Sequence, residues 1–199
     1  MELYSKITDS LVDNGYIIID NALYPKLTQE LLEFAKKQNS DEKDIYKKAG
    51  ISDSSDFHLD NERRRDKTLW LDNDDGVQSE YLSWTDGLQS YLNRELYLGL
   101  SYFETHFAIY EEGDFYEKHL DTFKNSKNRV VTVVYYLNEN WNEDDGGELV
   151  IYDENDNYLT QVAPNGNRMI VFMSEKFPHE VLPAKTTRYS IAGWFRVDR

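Results

Sequence analysis

From residue 104 onward the chain alternates short apolar runs with turns: ETHFAIY at 104–110, RVVTVVYYL at 129–137, GELVIY at 147–152, RMIVFM at 168–173 and RYSIAGWF at 188–195. The separators EEGD, NENWNEDDGG, DENDN, APNGN and LPAKTT are rich in residues that favour turns. Short runs of β-branched and aromatic residues form strands. Several in succession predict a mainly β fold, a sandwich or jelly-roll core. Val131, Val133, Leu149, Ile151, Ile170 and Phe172 are the expected core positions. Gly146 and Gly147 fit a tight turn better than a phosphate site, and no GxxxxGK or GxGxxG motif supports nucleotide use.

Working outward, the first hundred residues have a different texture. Leu3, Ile7, Leu11 and Val12 fall near one face of a helix over 3–14, which Gly15 ends. Tyr16 to Ile19 reads as a buried strand, and a second helix runs from Pro25 to Gln38, with Leu27, Leu31, Leu32 and Phe34 on its apolar face. Residues 39–66 are polar and irregular, as in a linker or a flexible cover over a cleft. Residues 68–71 form a strand candidate, 72–76 a turn and 77–97 a third helix. The expectation is one domain over 1–199: helical support and a substrate loop up to about residue 100, then a metal-binding β core over 101–196. The helices should lie outside the β core, against one sheet.

The net charge of -15 disfavours phosphate backbones and anionic membrane surfaces. Only Arg63-Arg64-Arg65 offers a compact basic patch, so no direct nucleic-acid or membrane partner is expected. Without cysteine there is no disulfide, thiolate metal site or thiol nucleophile. No apolar run is long enough to span a bilayer, and the first twenty residues lack a basic region followed by an apolar one. Cytoplasm is the default compartment. Oligomeric state is not legible.

His119 and Asp121 are spaced i,i+2, which puts both side chains on one face of an extended segment. His179, following the strand-like RMIVFM, can supply a third ligand. Two imidazoles and one carboxylate leave positions open on Fe(II). Similar ligands also serve zinc hydrolases, and His119 could merely hydrogen-bond Asp121. Arg188 and Ser190 share a strand face. A guanidinium fork and a hydroxyl suit the far carboxylate of a dicarboxylic acid, although Arg188 could equally pair with an acidic side chain. Trp194 suits a chamber wall or core filling.

HxD…H followed by RxS resembles the 2-oxoglutarate/Fe(II) oxygenase superfamily, and within it the prolyl hydroxylases of hypoxia-inducible factor and their bacterial relatives. YEEGDFYEKHLD at 110–121, RVVTVVYYLN at 129–138, the glycine pair before Glu148, RYSIAGWF and RDKTLW at 65–70 carry the resemblance. It spans roughly residues 15–196. It implies a double-stranded β-helix core with supporting N-terminal helices, and Fe(II), 2-oxoglutarate and dioxygen as cofactors, with ascorbate a candidate reductant. His119, Asp121 and His179 carry over as catalytic metal ligands. Arg188 carries over as the main 2-oxoglutarate partner and Tyr136 as a phenol on the same carboxylate; the Ser190 hydroxyl fits the wider superfamily. Tyr116 and Trp194 carry over as pocket residues near cosubstrate and metal, and Tyr110 as pocket wall. The implied reaction is hydroxylation of a prolyl residue in a protein or peptide, with a translation factor as a candidate target, yielding succinate and carbon dioxide. Another residue type or a small metabolite as substrate, a zinc hydrolase and a non-enzymatic jelly-roll binding module remain the competing readings.

Overall fold

Apolar spacing sets the helices. Helix α1 (Glu2–Asp13) buries Ile7 and Leu11, and backbone bonds from Asn14 and Gly15 back to Ser10 and Leu11 close its end. Strand β1 (Tyr16–Ile19) alternates half-buried and buried side chains. Helix α2 (Pro25–Ser40) buries Leu27, Leu31, Leu32 and Ala35. Three short strands follow, β2 (Lys47–Lys48), β3 (Ile51–Asp53) and β4 (Asp56–His58), then β5 (Lys67–Trp70). Helix α3 (Gly76–Leu96) buries Tyr81, Leu88 and Leu92. The second half is β6 (Tyr102–Tyr110), β7 (Tyr116–His119), β8 (Arg129–Tyr136), β9 (Leu149–Tyr152), β10 (Tyr158–Val162), β11 (Met169–Met173), β12 (His179–Val181) and β13 (Arg188–Arg196). This computed structural model describes residues 2–40, 47–48, 51–53, 56–58, 63–72, 76–122 and 128–198. The expected cover within 39–66 and the turn at 72–76 fall largely outside the described residues.

Two antiparallel sheets face each other. The larger has the order β1-β11-β8-β13-β6-β5-β2, and the smaller β10-β9-β12-β7. The first hundred residues therefore give strands β1, β5 and β2 to the large sheet as well as the helices behind it. The strands of the β half appear where the apolar runs are, with bounds shifted by a residue or two. The two-sheet core flanked by N-terminal helices is the double-stranded β-helix that the resemblance implies.

The large sheet is covered on both faces, which explains its nearly continuous apolar runs. On β8, Val131, Val133 and Tyr135 pack with the helices, while Val134 and Tyr136 pack between the sheets. On β13, Ile191 and Phe195 face the helices, whereas Arg188, Ser190, Ala192 and Trp194 line a cavity between the sheets. One strand thus supplies core to one side and chemistry to the other. All six predicted core residues are buried.

A polar knot ties α2 to this sheet. The Tyr135 hydroxyl donates to Asn167 Oδ1 at 3.0 Å, so Thr28, 2.5 Å away, donates to Tyr135. Asn167 also accepts from the Leu23 amide and donates to the Leu23 carbonyl. Tyr135→Phe keeps the ring and leaves two buried partners short of a bond. It should lower the unfolding free energy by about 1–2 kcal/mol in urea titration; an unchanged midpoint would show that the knot contributes nothing.

Candidate active site

Strand pairing brings two histidines face to face. In the β12–β7 ladder His179 is the direct partner of His119, and their ring centroids lie 4.4 Å apart. His119 Nδ1 lies 2.7 Å from the Glu117 carbonyl, and His179 Nδ1 lies 3.0 Å from the Phe177 carbonyl. A carbonyl can only accept, so both Nδ1 atoms carry the proton. In the neutral ring this tautomer leaves each Nε2 with the free lone pair, the form that binds a metal. Asp121, just beyond the end of β7, sets Oδ1 3.6 Å from His119 Nε2 and Oδ2 3.6 Å from His179 Nε2. The three ligand atoms lie within 4.8 Å of one another.

The electrostatics suit a divalent cation. Burial alone would raise the Asp121 carboxyl, but His179, His119 and Arg129 outweigh it and hold the group well below the usual carboxylate range. Burial pushes His179 down to about 4, helped by neighbouring His119 and opposed by Asp121. The site therefore offers a carboxylate held as an anion, facing two imidazole Nε2 atoms. Tyr116 stacks on the His119 ring with centroids 3.6 Å apart.

The same cavity carries a second polar group. Arg188 is 1% exposed, and among the described residues no carboxylate makes an ion pair with it. Its guanidinium carbon lies 4.8 Å from the centre of the Tyr110 ring and 5.1 Å from that of Tyr136. Nη1 donates to Ser190 Oγ at 3.0 Å, while Nε has no partner. The Tyr136 hydroxyl is likewise buried without a partner. A buried cation beside an unsatisfied phenol costs free energy unless an anion completes the set. A carboxylate does so, and with the triad in the same cavity a 2-oxo dicarboxylate fits. Gly147 makes room: its φ is 68°, and a Cβ there would lie 3.0 Å from Arg188 Cδ. The expected glycine turn thus also admits the arginine stem.

All nine residues singled out from the sequence gather here. His119, Asp121, His179, Arg188, Ser190, Tyr110, Tyr116 and Trp194 line the cavity, and Tyr136 lies against Arg188. Trp194 is both wall and core. Its indole N–H has no partner among the described residues, and the Arg129 guanidinium carbon lies 3.7 Å from the centre of its ring. Arg129 is held in turn by Glu104.

Sequence reasoning missed Arg64, His106 and Thr132, which also line the cavity. Arg64 pairs with buried Asp66 at 2.6 and 2.9 Å and sits over the Tyr116 ring at 4.7 Å. His106 is held neutral by burial, then by Arg64 and Arg129. Alternation along β6 could have shown His106, two residues before Ala108 and four before Tyr110. Of the basic run only Arg64 turns to the cavity; Arg63 pairs with Glu117 at the surface and exposed Arg65 lies over Phe115.

Residues 105–196 match the family described as the 2OG-Fe(II) oxygenase superfamily. Prolyl hydroxylase EGLN3 of Homo sapiens is 31% identical over 202 residues, covering 95% of this chain and 81% of the human protein. This chain belongs to the 2-oxoglutarate/Fe(II) oxygenase superfamily, among the relatives of prolyl hydroxylases. A Pseudomonas putida prolyl-4-hydroxylase superposes on this oxygenase with a TM-score of 0.85 and 31% identity, covering 98% of this chain and 100% of that one. A Trichoplax adhaerens prolyl hydroxylase, solved with a hypoxia-inducible-factor degradation-domain peptide, gives 0.83 and 29%, covering 98% and 89%.

The buried phenols of this oxygenase set its alkaline limit. Burial raises Tyr136 to about 12, although Arg188 pulls the other way, and burial raises Tyr135 to about 12, with Thr28 opposing. Above pH 10 the unfolded chain releases protons that the folded chain keeps, so stability falls as pH rises from 10 towards 12. Urea midpoints should be level from pH 8 to 9 and fall above 10, and a midpoint that held to pH 11 would contradict this burial.

Proposed function

We propose that this protein is an Fe(II)- and 2-oxoglutarate-dependent dioxygenase that hydroxylates a prolyl residue of a protein. The observation that carries the reading is one cavity holding both a two-imidazole, one-carboxylate triad and a buried arginine that pairs with no carboxylate among the described residues. Iron with 2-oxoglutarate and dioxygen supplies, when bound, the oxidation that decarboxylates the oxo acid to succinate and converts a C–H bond to C–OH.

The residues do the rest. His119, Asp121 and His179 hold the metal and leave positions open on it. Arg188 takes the far carboxylate of 2-oxoglutarate, with the Tyr136 and Ser190 hydroxyls beside it. The aromatic walls Tyr110, Tyr116 and Trp194 keep water from the reacting centre. The prolyl target rests on the relatives and on the peptide bound by the Trichoplax protein. A translation factor is the target we would test first, with ascorbate added as reductant.

Succinate formation from 2-oxoglutarate, with Fe(II) in air, tests the chemistry. It should rise with a proline-containing protein substrate, whose mapped peptide gains one oxygen on proline. His179→Ala should abolish both signals. Succinate without any modified protein would move the substrate to a small molecule, and no succinate from the iron-loaded chain would sink the reading.

Arg188→Gln separates cosubstrate binding from metal binding. Removing one side of a buried charge pair costs about 2 kcal/mol or more, so KM for 2-oxoglutarate should rise by at least roughly 30-fold. Metal affinity should stay close to that of the parent. An unchanged KM would remove Arg188 from the cosubstrate site.

A further inference from the structure

Behind the Asp121 carboxylate stands a pair of hydroxyls that the proposed chemistry does not touch. Thr132 Oγ1 donates to Asp121 Oδ2 at 2.7 Å, and Ser174 Oγ lies 2.8 Å from Thr132 Oγ1. A hydroxyl has one proton. Thr132 spends its proton on Asp121, so Ser174 is the donor to Thr132. The order Ser174 to Thr132 to Asp121 is therefore fixed by counting protons.

Place in the fold makes the chain rigid. Thr132 lies on β8 between β11 and β13, directly paired with Phe172 on one side and Trp194 on the other. Ser174 follows the end of β11, and its amide bonds the Val130 carbonyl. Exposure is 4% for Asp121, 1% for Thr132 and 0% for Ser174. Water cannot readily replace a lost hydroxyl there. The backbone carbonyl of Asp121 also accepts from Arg129 Nη1 at 3.4 Å.

From this we infer that Thr132 and Ser174 are positioning residues that set the orientation of Asp121 as a metal ligand. The inference rests on the metal-centre reading above. A carboxylate with one oxygen held by a hydroxyl proton cannot turn freely about its own axis, and chelation through both oxygens is opposed. Asp121 would then offer a bound metal a single oxygen and leave positions open for other ligands. Two hydroxyls in line polarise each other, so Ser174 strengthens the bond that Thr132 makes. Hydrogen bonds behind a metal ligand commonly govern affinity.

Mn(II) titration of the purified full chain tests this without turnover. The parent should bind, and Thr132→Val, which keeps the shape and removes the hydroxyl, should weaken binding by roughly 10–100-fold. Thr132→Ser should restore it, and Ser174→Ala should show a smaller loss in the same direction. Circular dichroism of the metal-free proteins separates weak binding from misfolding. Should Thr132→Val fail to fold, Ser174→Ala decides. A folded Thr132→Val, or in its absence Ser174→Ala, that binds Mn(II) within about threefold of the parent overturns the inference while leaving the oxygenase reading intact. A parent that binds no Mn(II) overturns both.

Discussion

The backbone pairing of His179 with His119 is the constraint on which the metal centre depends. Antiparallel partners on adjacent strands carry their side chains to the same face a few ångströms apart. The two ligands therefore need no special loop to meet. Each ring is then turned by a bond from Nδ1 to the carbonyl two residues before it. The same local device acts at both places, so ladder and tautomer together aim both Nε2 atoms at Asp121. Slipping β12 by one residue would send His179 to the other face of the small sheet. Its other neighbour, β9, holds that register by pairing Ile151 with His179 and Leu149 with Val181.

The large sheet solves a different problem. It must support a charged cavity and still hold together. Its central strands do so by burying both faces in different materials, apolar side chains against the helices and a mixed lining against the small sheet. The helices behind it thus belong to the site mechanically. Tyr81 of α3 stacks on Tyr135, whose neighbour along β8 is Tyr136. The backbone that carries the cosubstrate phenol is clamped from behind by an aromatic contact and the Thr28 bond.

What was legible in the sequence follows from this division. Strands buried on both sides are long and apolar, so β6, β8, β11 and β13 stand out. Strands β7 and β12 do not. They are short and interrupted by charge, as in YEKH and HEV, because they carry exposed or half-buried polar side chains as well as the two histidines of the triad. Their place is legible only through chemistry: the spacing of His119, Asp121 and His179 marks them as candidate ligands, whereas the strands that hold the two histidines leave no apolar pattern. Arg188 and Ser190 were visible because their i,i+2 spacing lies within one strand. Thr132 and Ser174 are hidden, since each gains its meaning from a partner elsewhere along the chain, Asp121 for Thr132 and Thr132 for Ser174. No local pattern marks the threonine on β8 that reaches Asp121.

The charge balance gains a second meaning from the cavity. A chain of net charge -15 should repel a dicarboxylate, yet its interior carries Arg188 beside the cavity, with no ion pair to a carboxylate among the described residues. Surface charges are screened over about 8 Å at physiological salt, whereas a buried guanidinium is screened far less. The far field and the near field can therefore have opposite signs. An anionic cosubstrate meets a weakened repulsion outside and a strong, directed attraction once inside. Any polyanion too large to enter feels only the first. A small dicarboxylate can thus be held inside a chain whose net charge is acidic.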